Sequence, residues 1–201
     1  MKKYDVIIVG ASTTGSWFGC EMAKRGFKVL MLEKQERENV SRSYDIFHMA
    51  KKEMEKFGYP IPKPGDEDYS FEFDGGCYYS AFGNYPKPSR NIVIGMRKHR
   101  YILRLNDNAV EAGAELIYGA SFSDFIFDAE GKIVGAKYQT ADGEHEALAA
   151  IVADCSGIPS VARRALPDGI NCENFEISPR DMFYVVLRYV RYPEGHEKVV
   201  H

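Results

Sequence analysis

Nowhere does the chain string together the roughly 18 apolar residues that a membrane-spanning helix needs, so a helical membrane protein is not expected. No charged-then-apolar leader precedes the first strand-like run, which begins almost at Met1, and the expected compartment is cytoplasmic. There is no excess of positive charge either. The 26 Lys and Arg against 29 Asp and Glu leave a net charge of -3, which offers no field to attract nucleic acid. Cysteine is sparse: Cys20, Cys77, Cys155 and Cys172 form no C-x-x-C pair and no Cys/His set at zinc spacing, so no metal is expected and the thiols are read as reduced. His48, His99 and His145 stand isolated, and no Ser/His/Asp spacing or carboxylate pair points to hydrolysis. What remains is 201 residues with 45% hydrophobic content, enough for one substantial core or a large domain with an insert.

The most informative segment opens the chain. Val6-Ile7-Ile8-Val9 is an unbroken apolar run of the kind found in a strand covered on both faces of a parallel sheet, and it empties into Gly10-Ala11-Ser12-Thr13-Thr14-Gly15. Gly10 permits a tight turn out of the strand, and Gly15 lets the following helix, expected over 14–25, pack close to the sheet. That helix would direct its first free N–H groups and the positive end of its dipole at a pyrophosphate, and Gly26 is the expected cap at its far end. A second apolar run, Lys28-Val29-Leu30-Met31-Leu32, closes on Glu33, about 20 residues beyond the turn, where a carboxylate accepts the hydroxyls of an adenosine ribose and repels a 2′-phosphate. NADP is therefore not the expected nucleotide. Ser12 stands where a second glycine usually lets the backbone approach the phosphate; its Cβ tightens that approach and its hydroxyl can donate to a phosphate oxygen. Taken alone the turn could be an ordinary βα connection, but the strand before it, the helix after it and Glu33 in register favour dinucleotide binding.

Beyond Glu33, residues 35–42 read as a loop and 45–57 as a helix with Ile46, Met49, Met54 and Phe57 on one face. The Pro-, Gly- and Tyr-rich stretch 58–90 reads as an insertion that contributes a substrate-facing surface, with an alternating strand over 69–74 turned by Gly75-Gly76. The aromatic residues Tyr78, Tyr79, Phe82 and Tyr85 could line an apolar pocket or form a sheet face, and Cys77 could face a redox group or be a plain thiol. The regular fold returns at 92–97, followed by a helix over 98–112 stopped by Gly113, and a parallel strand over 114–118. Three antiparallel strands follow over 121–127, 132–139 and 144–150, then a buried parallel strand over 151–154 ending in Cys155-Ser156-Gly157, and a short helix over 160–166. A last strand-like run over 182–189 ends without closing elements, so the chain reads as truncated.

The opening Asp5-Val6-Ile7-Ile8-Val9-Gly10-Ala11-Ser12-Thr13-Thr14-Gly15-Ser16, Glu33, the segment beginning Arg97-Lys98-His99-Arg100, Gly113-Ala114-Glu115-Leu116, Val134-Gly135-Ala136, and Ala153-Asp154-Cys155-Ser156-Gly157 with Arg163 resemble the N-terminal portion of FAD-dependent oxidoreductases of the geranylgeranyl reductase type, within the p-hydroxybenzoate hydroxylase-like flavoproteins. The resemblance implies an α/β fold: a Rossmann-like FAD-binding βαβ with a three-layer parallel sheet, an antiparallel three-stranded crossover sheet and the start of a substrate-domain sheet. It implies that 1–57 and 91–170 form the FAD-binding domain and that 58–90 and 171–201 are partial substrate-domain elements. Gly10, Ser12 and Gly15 would then line the FAD pyrophosphate and Glu33 the adenosine ribose, with Arg97 near the phosphates or ribityl chain and the 154–157 strand end near the adenosine half. Thr13, Thr14 and Lys34 complete this cofactor-binding set, together with Asp154 and Gly157. Arg97 could instead be a surface cation, and Asp154 a cap for the next turn. The implied reaction is reduction of an apolar, isoprenoid-type C=C bond, with flavin monooxygenation or quinone-linked electron transfer as alternatives and a non-catalytic nucleotide-binding fragment as a different class. The implied partners are a small apolar substrate, an external electron donor such as NAD(P)H or a ferredoxin-like protein, and a peripheral membrane contact. Two features depart from the family pattern: no later Gly-Asp segment follows Val185, and residues 38–43 contain no cysteine where lipid-reducing members have one.

Overall fold

A computed structural model describes residues 1–41, 45–78, 80, 82–170, 172–173 and 177–181, with the side chain of Tyr78 left out. Residues 1–170 form one compact unit. Its strands are β1 (Lys2–Val9), β2 (Val29–Glu33), β3 (Ile46–Ala50), β4 (Tyr69–Phe73), β5 (Gly76–Tyr78), β6 (Lys87–Ser89), β7 (Val93–Arg97), β8 (Glu115–Tyr118), β9 (Ser121–Phe127), β10 (Ile133–Thr140) and β11 (Gly143–Asp154). Its helices are α1 (Thr13–Lys24), α2 (Lys51–Phe57), α3 (Lys98–Glu111) and α4 (Val161–Arg164).

The main sheet runs β8-β2-β1-β11-β10-β9, parallel from β8 to β11 and antiparallel from β11 to β9. Alternate residues of the central strands serve different layers. Val6 and Ile8 of β1 with Val29 and Met31 of β2 pack against Cys20 and Ala23 of α1 and Ala109 of α3. Ile7, Leu30 and Leu32 point the other way, onto Ala136 and Tyr138 of β10 and Ala147 and Ala149 of β11. Both faces of β1 and β2 are thus covered, which is why their sequences are apolar without alternation. Each of the fully buried Val, Ile, Leu and Met side chains of these two strands contributes about 1.5–3 kcal/mol. The helix layer sits close because Gly19 lacks a side chain: a Cβ there would lie 2.5 Å from Met31 Sδ. At the end of α1, Gly26 takes φ +86°, and the Gly26 and Phe27 N–H groups donate to the Ala23 and Met22 carbonyls, a glycine-closed helix end.

Three elements differ from the sequence expectation. Residues 45–57 are a strand followed by a helix, β3 then α2, because β7 offers Ile46–Ala50 a pairing edge and Phe47 packs on Tyr101 with ring centroids 5.5 Å apart. The strands expected at 144–150 and 151–154 are a single strand, β11, which changes partner from β10 to β1 around Ala147–Leu148 without a turn. The run at 92–97 gives β7, which is the centre of a separate antiparallel sheet, β3-β7-β4, rather than a strand of the main one. In that sheet the Phe71 ring occupies the space over Gly95, where a Cβ would meet it at 2.4 Å. β5 and β6 form a two-stranded hairpin with Phe82 and Tyr85 exposed between them.

In the second unit, 171–201, the described residues include a single turn of 3-10 helix, Pro179–Asp181, in which the Asp181 carboxylate accepts the Ser178 N–H and hydroxyl. The strand expected over 182–189 and the residues Arg42, Ser43 and Tyr79 lie outside the described residues. Among the described residues no helix is long and apolar enough to cross a membrane, and no group of three or more His, Cys, Asp and Glu is placed to hold a metal ion.

Candidate functional site

The parallel strands end together on one edge of the main sheet. The Gly10 N–H donates to Leu32 O at 2.8 Å and the Cys155 N–H to Val9 O at 2.8 Å, drawing the ends of β1, β2 and β11 to one point. β1 has β2 on one side and β11 on the other, so chain order reverses here, and a crevice opens beyond the strand ends. It is a cleft of about 370 Å³ lined by Val9, Gly10, Ser12, Leu32, Glu33, Lys34, Gln35, Val40, Ser41, Lys98, Ala120, Ser121, Phe122, Cys155, Ser156, Pro159 and Val161.

The turn that floors the cleft tolerates no extra atoms. Gly10 has φ +99°, and a Cβ on it would lie 2.6 Å from Cys155 O. A Cβ on Gly15 would lie 1.9 Å from Gly10 O. Ser12, the N-cap of α1, makes no side-chain capping bond and is exposed at the cleft, so its hydroxyl is not committed to the helix. The first N–H groups of a helix lack intrahelical partners, and this end carries the positive dipole. Glu33 is 8% exposed, and its two oxygens take backbone donors from both sides: Ala11 N–H at 2.9 Å and Gln35 N–H at 3.0 Å. A carboxylate has about four acceptor sites, so the turn is tied to β2 while capacity remains for a ribose.

Of the residues singled out from the sequence, Gly10, Ser12, Glu33 and Lys34 line the cleft, and Thr13, Thr14 and Gly15 form the first turn of α1 beside it. Arg97 ends β7, with its N–H bonded to Asp68 O; its neighbour Lys98 lines the cleft with Lys34, 3.4 Å from Asp45 Oδ2. Asp154 and Gly157 bracket Cys155 and Ser156, which line the cleft. Asp154 Oδ1 accepts the Ser156 N–H and hydroxyl at 3.0 and 2.6 Å, and Oδ2 accepts the Arg163 N–H at 3.0 Å, so this carboxylate caps the turn and α4. Burial opposes its charge, but the bonds from Ser156, Arg163 and Ala162 hold the carboxyl below its ordinary range. Burial, with Asp154 adding to it, pushes the Cys155 thiol up, which makes it a poor nucleophile.

Lys98, Ser41, Ala120 and Phe122 were not legible as cleft residues. The latter two arrive through the pairing of β8 with β2, where the Ala120 N–H donates to Glu33 O at 2.9 Å. Ser41 has φ +64° and a buried hydroxyl with no hydrogen-bond partner among the described residues. A polar atom left so inside a cleft fits a bound polar group. A dinucleotide therefore suits the donor set: backbone N–H groups and Ser12 for phosphate, Glu33 for ribose hydroxyls, and the apolar wall of Val40, Ala120 and Phe122 for a flat ring.

No protein-family model matches the chain. It is 31% identical over 159 residues to digeranylgeranylglycerophospholipid reductase 2 of Methanopyrus kandleri, covering 79% of this chain and 38% of the relative. The chain resembles the N-terminal portion of the geranylgeranyl reductase-type FAD-dependent oxidoreductases. A 1H-pyrrole-2-carbonyl-[peptidyl-carrier protein] brominase of Pseudoalteromonas luteoviolacea is similar as well, 28% identical over 172 residues, covering 78% of this chain and 38% of the relative. Among solved structures, a geranylgeranyl bacteriochlorophyll reductase-like protein of Thermoplasma acidophilum superposes with a TM-score of 0.69 at 21% identity, over 82% of this chain and 42% of that one, a likeness of fold. The chain thus spans 38% of the length of each of the two relatives compared by sequence.

Proposed function

We propose that this chain is the FAD-holding part of an FAD-dependent oxidoreductase, and that the whole protein reduces an apolar, isoprenoid-type carbon–carbon double bond. The observation that carries the cofactor reading is the Gly10–Gly15 turn, open to the cleft at the start of α1 and tied through the Ala11 N–H to the Glu33 carboxylate. In this reading FAD supplies the hydride, and the protein supplies binding, orientation and exclusion of water. The α1 N-terminus and Ser12 hold the pyrophosphate, Glu33 holds the adenosine ribose, and Lys34 and Lys98 offset phosphate charge at the cleft mouth. Arg97, Thr13, Thr14, Asp154 and Gly157 belong to the same shell, either near the phosphates or as supports for the strand ends.

Residues 1–57 and 91–170 would carry the cofactor, while 58–90 and 171–201 would contribute to the substrate side. The exposure of Phe82 and Tyr85, 91% and 87%, supports an apolar substrate or a peripheral membrane surface meeting this hairpin. The electron donor would be external, NAD(P)H or a ferredoxin-like protein. A cytoplasmic setting suits the free thiols of Cys20, Cys155 and Cys172. A second reading, oxygen-consuming flavin chemistry, is favoured by the 28% identity to a brominase.

The test is to load the protein with FAD, reduce it anaerobically and add a geranylgeranyl-bearing alkene. Reoxidation of the flavin matched by loss of a double bond supports the reductase reading. No reoxidation by the alkene, with oxygen admitted afterwards being consumed into an oxygenated or halogenated product, favours the second, and failure to take up FAD contradicts both.

A further inference from the structure

The cofactor turn is held from behind by a chain of polar groups, buried at its inner end, that nucleotide binding does not by itself require. Ser16, in the first turns of α1, and Asn106, in the middle of α3, are both 0% exposed. Ser16 Oγ lies 2.8 Å from Ala11 O and 2.5 Å from Asn106 Oδ1. Asn106 Nδ2 lies 2.9 Å from the Tyr118 hydroxyl, which receives an Arg37 N–H at 3.2 Å, and Arg37 grips Asp107 through two bonds of 2.8 and 2.9 Å.

A serine hydroxyl has one hydrogen, so it cannot donate to both Ala11 O and Asn106 Oδ1. Turning the Asn106 amide by half a revolution about its last bond removes the conflict. Its NH2 then donates to Ser16 and its oxygen accepts from Tyr118, so every donor points the same way, from the Arg37 guanidinium to the Ala11 carbonyl. A chain aligned like this strengthens the bonds at its inner end, where Ser16 and Asn106 are screened from water.

The carbonyl at the end of that chain matters because of what shares its peptide plane. In a trans peptide the C=O of Ala11 and the N–H of Ser12 point in opposite directions, and no cis peptide occurs among the described residues. Pulling the Ala11 carbonyl inward, to Ser16, turns the Ser12 N–H outward, and Ser12 lines the cleft. The Ala11 N–H is fixed as well, by Glu33 at 2.9 Å.

We propose that Asn106, acting through Ser16, is a positioning residue that aims the Ser12 N–H at the phosphate of the bound nucleotide. This inference rests on the dinucleotide reading of the cleft, so its test separates the two. The 201-residue chain is titrated calorimetrically with ADP and with adenosine, alongside Asn106→Leu and Ser16→Ala, with thermal melting to establish folding. The expected result is a loss of about tenfold in ADP affinity for each folded variant, with adenosine affinity held within about twofold, because only the phosphate meets the aimed donor. If ADP and adenosine weaken together, or neither weakens, the positioning role is overturned while the dinucleotide reading stands. Wild type that binds neither ligand overturns the dinucleotide reading and this inference with it. Should Asn106→Leu fail to fold, Ser16→Ala decides the matter alone, since it removes only a hydroxyl.

Discussion

Gly15 shows how little freedom the site has at the scale of one residue. An added Cβ would fall 1.9 Å from Gly10 O, inside any tolerable contact, and the obstacle is backbone that is itself bound to Leu32. Gly15→Ala should therefore lower stability by about 1–3 kcal/mol, the usual cost of overpacking, read as a lower urea midpoint at unchanged slope. Glu33 makes a different kind of demand. Glutamine in its place offers one oxygen where Ala11 and Gln35 present two N–H donors, so either the buried Ala11 donor or the partly buried Gln35 donor loses its partner, at a cost of up to about 1–3 kcal/mol. Glu33→Gln should both melt earlier and bind FAD more weakly, and a variant matching wild type in both would remove Glu33 from the account. These residues were legible because their work is local: turn, helix start and carboxylate lie within one βαβ unit, at spacings set by backbone geometry.

At the scale of elements, the caps that close the strand ends make a prediction about acid. The Asp154 carboxyl is held below its ordinary range by the Ser156 and backbone donors that outweigh its burial. Its contribution is complete above about pH 4, where the unfolded carboxyl is ionised, and is lost as pH falls through the lower folded value. Asp154→Asn should thus flatten the acid side of the stability curve and loosen the 155–160 turn; an acid limb identical to that of wild type would contradict the assignment. Elements were less legible than residues wherever a partner strand decided the outcome. Ile46, Met49, Met54 and Phe57 are spaced as a helix face, yet the edge of β7 captures 46–50 as a strand. β11 runs unbroken because Ala147-Leu148-Ala149-Ala150 holds no turn residue and both of its partners lie ready. Lys98, Ala120 and Phe122 reach the cleft only through sheet order and through α3 following β7, neither of which leaves a mark on local sequence.

For the molecule as a whole, one side chain reports on the site. Trp17 is the single tryptophan; it sits in α1 beyond the cofactor turn, stacks on Tyr59 at 5.6 Å and donates to Phe57 O at 2.9 Å. FAD bound at the α1 N-terminus should quench its fluorescence in a saturable way, and Gly15→Ala should abolish the response. The central claim is that this chain, spanning 38% of the relatives compared by sequence, holds FAD by its own βαβ unit. The direct measurement is the visible absorption spectrum of the purified 201-residue chain after incubation with excess FAD and desalting. A flavin band that stays with the protein, and is lost in Glu33→Gln or Gly15→Ala, is the predicted result. A colourless wild-type chain would contradict the claim and reduce the turn to a structural connection.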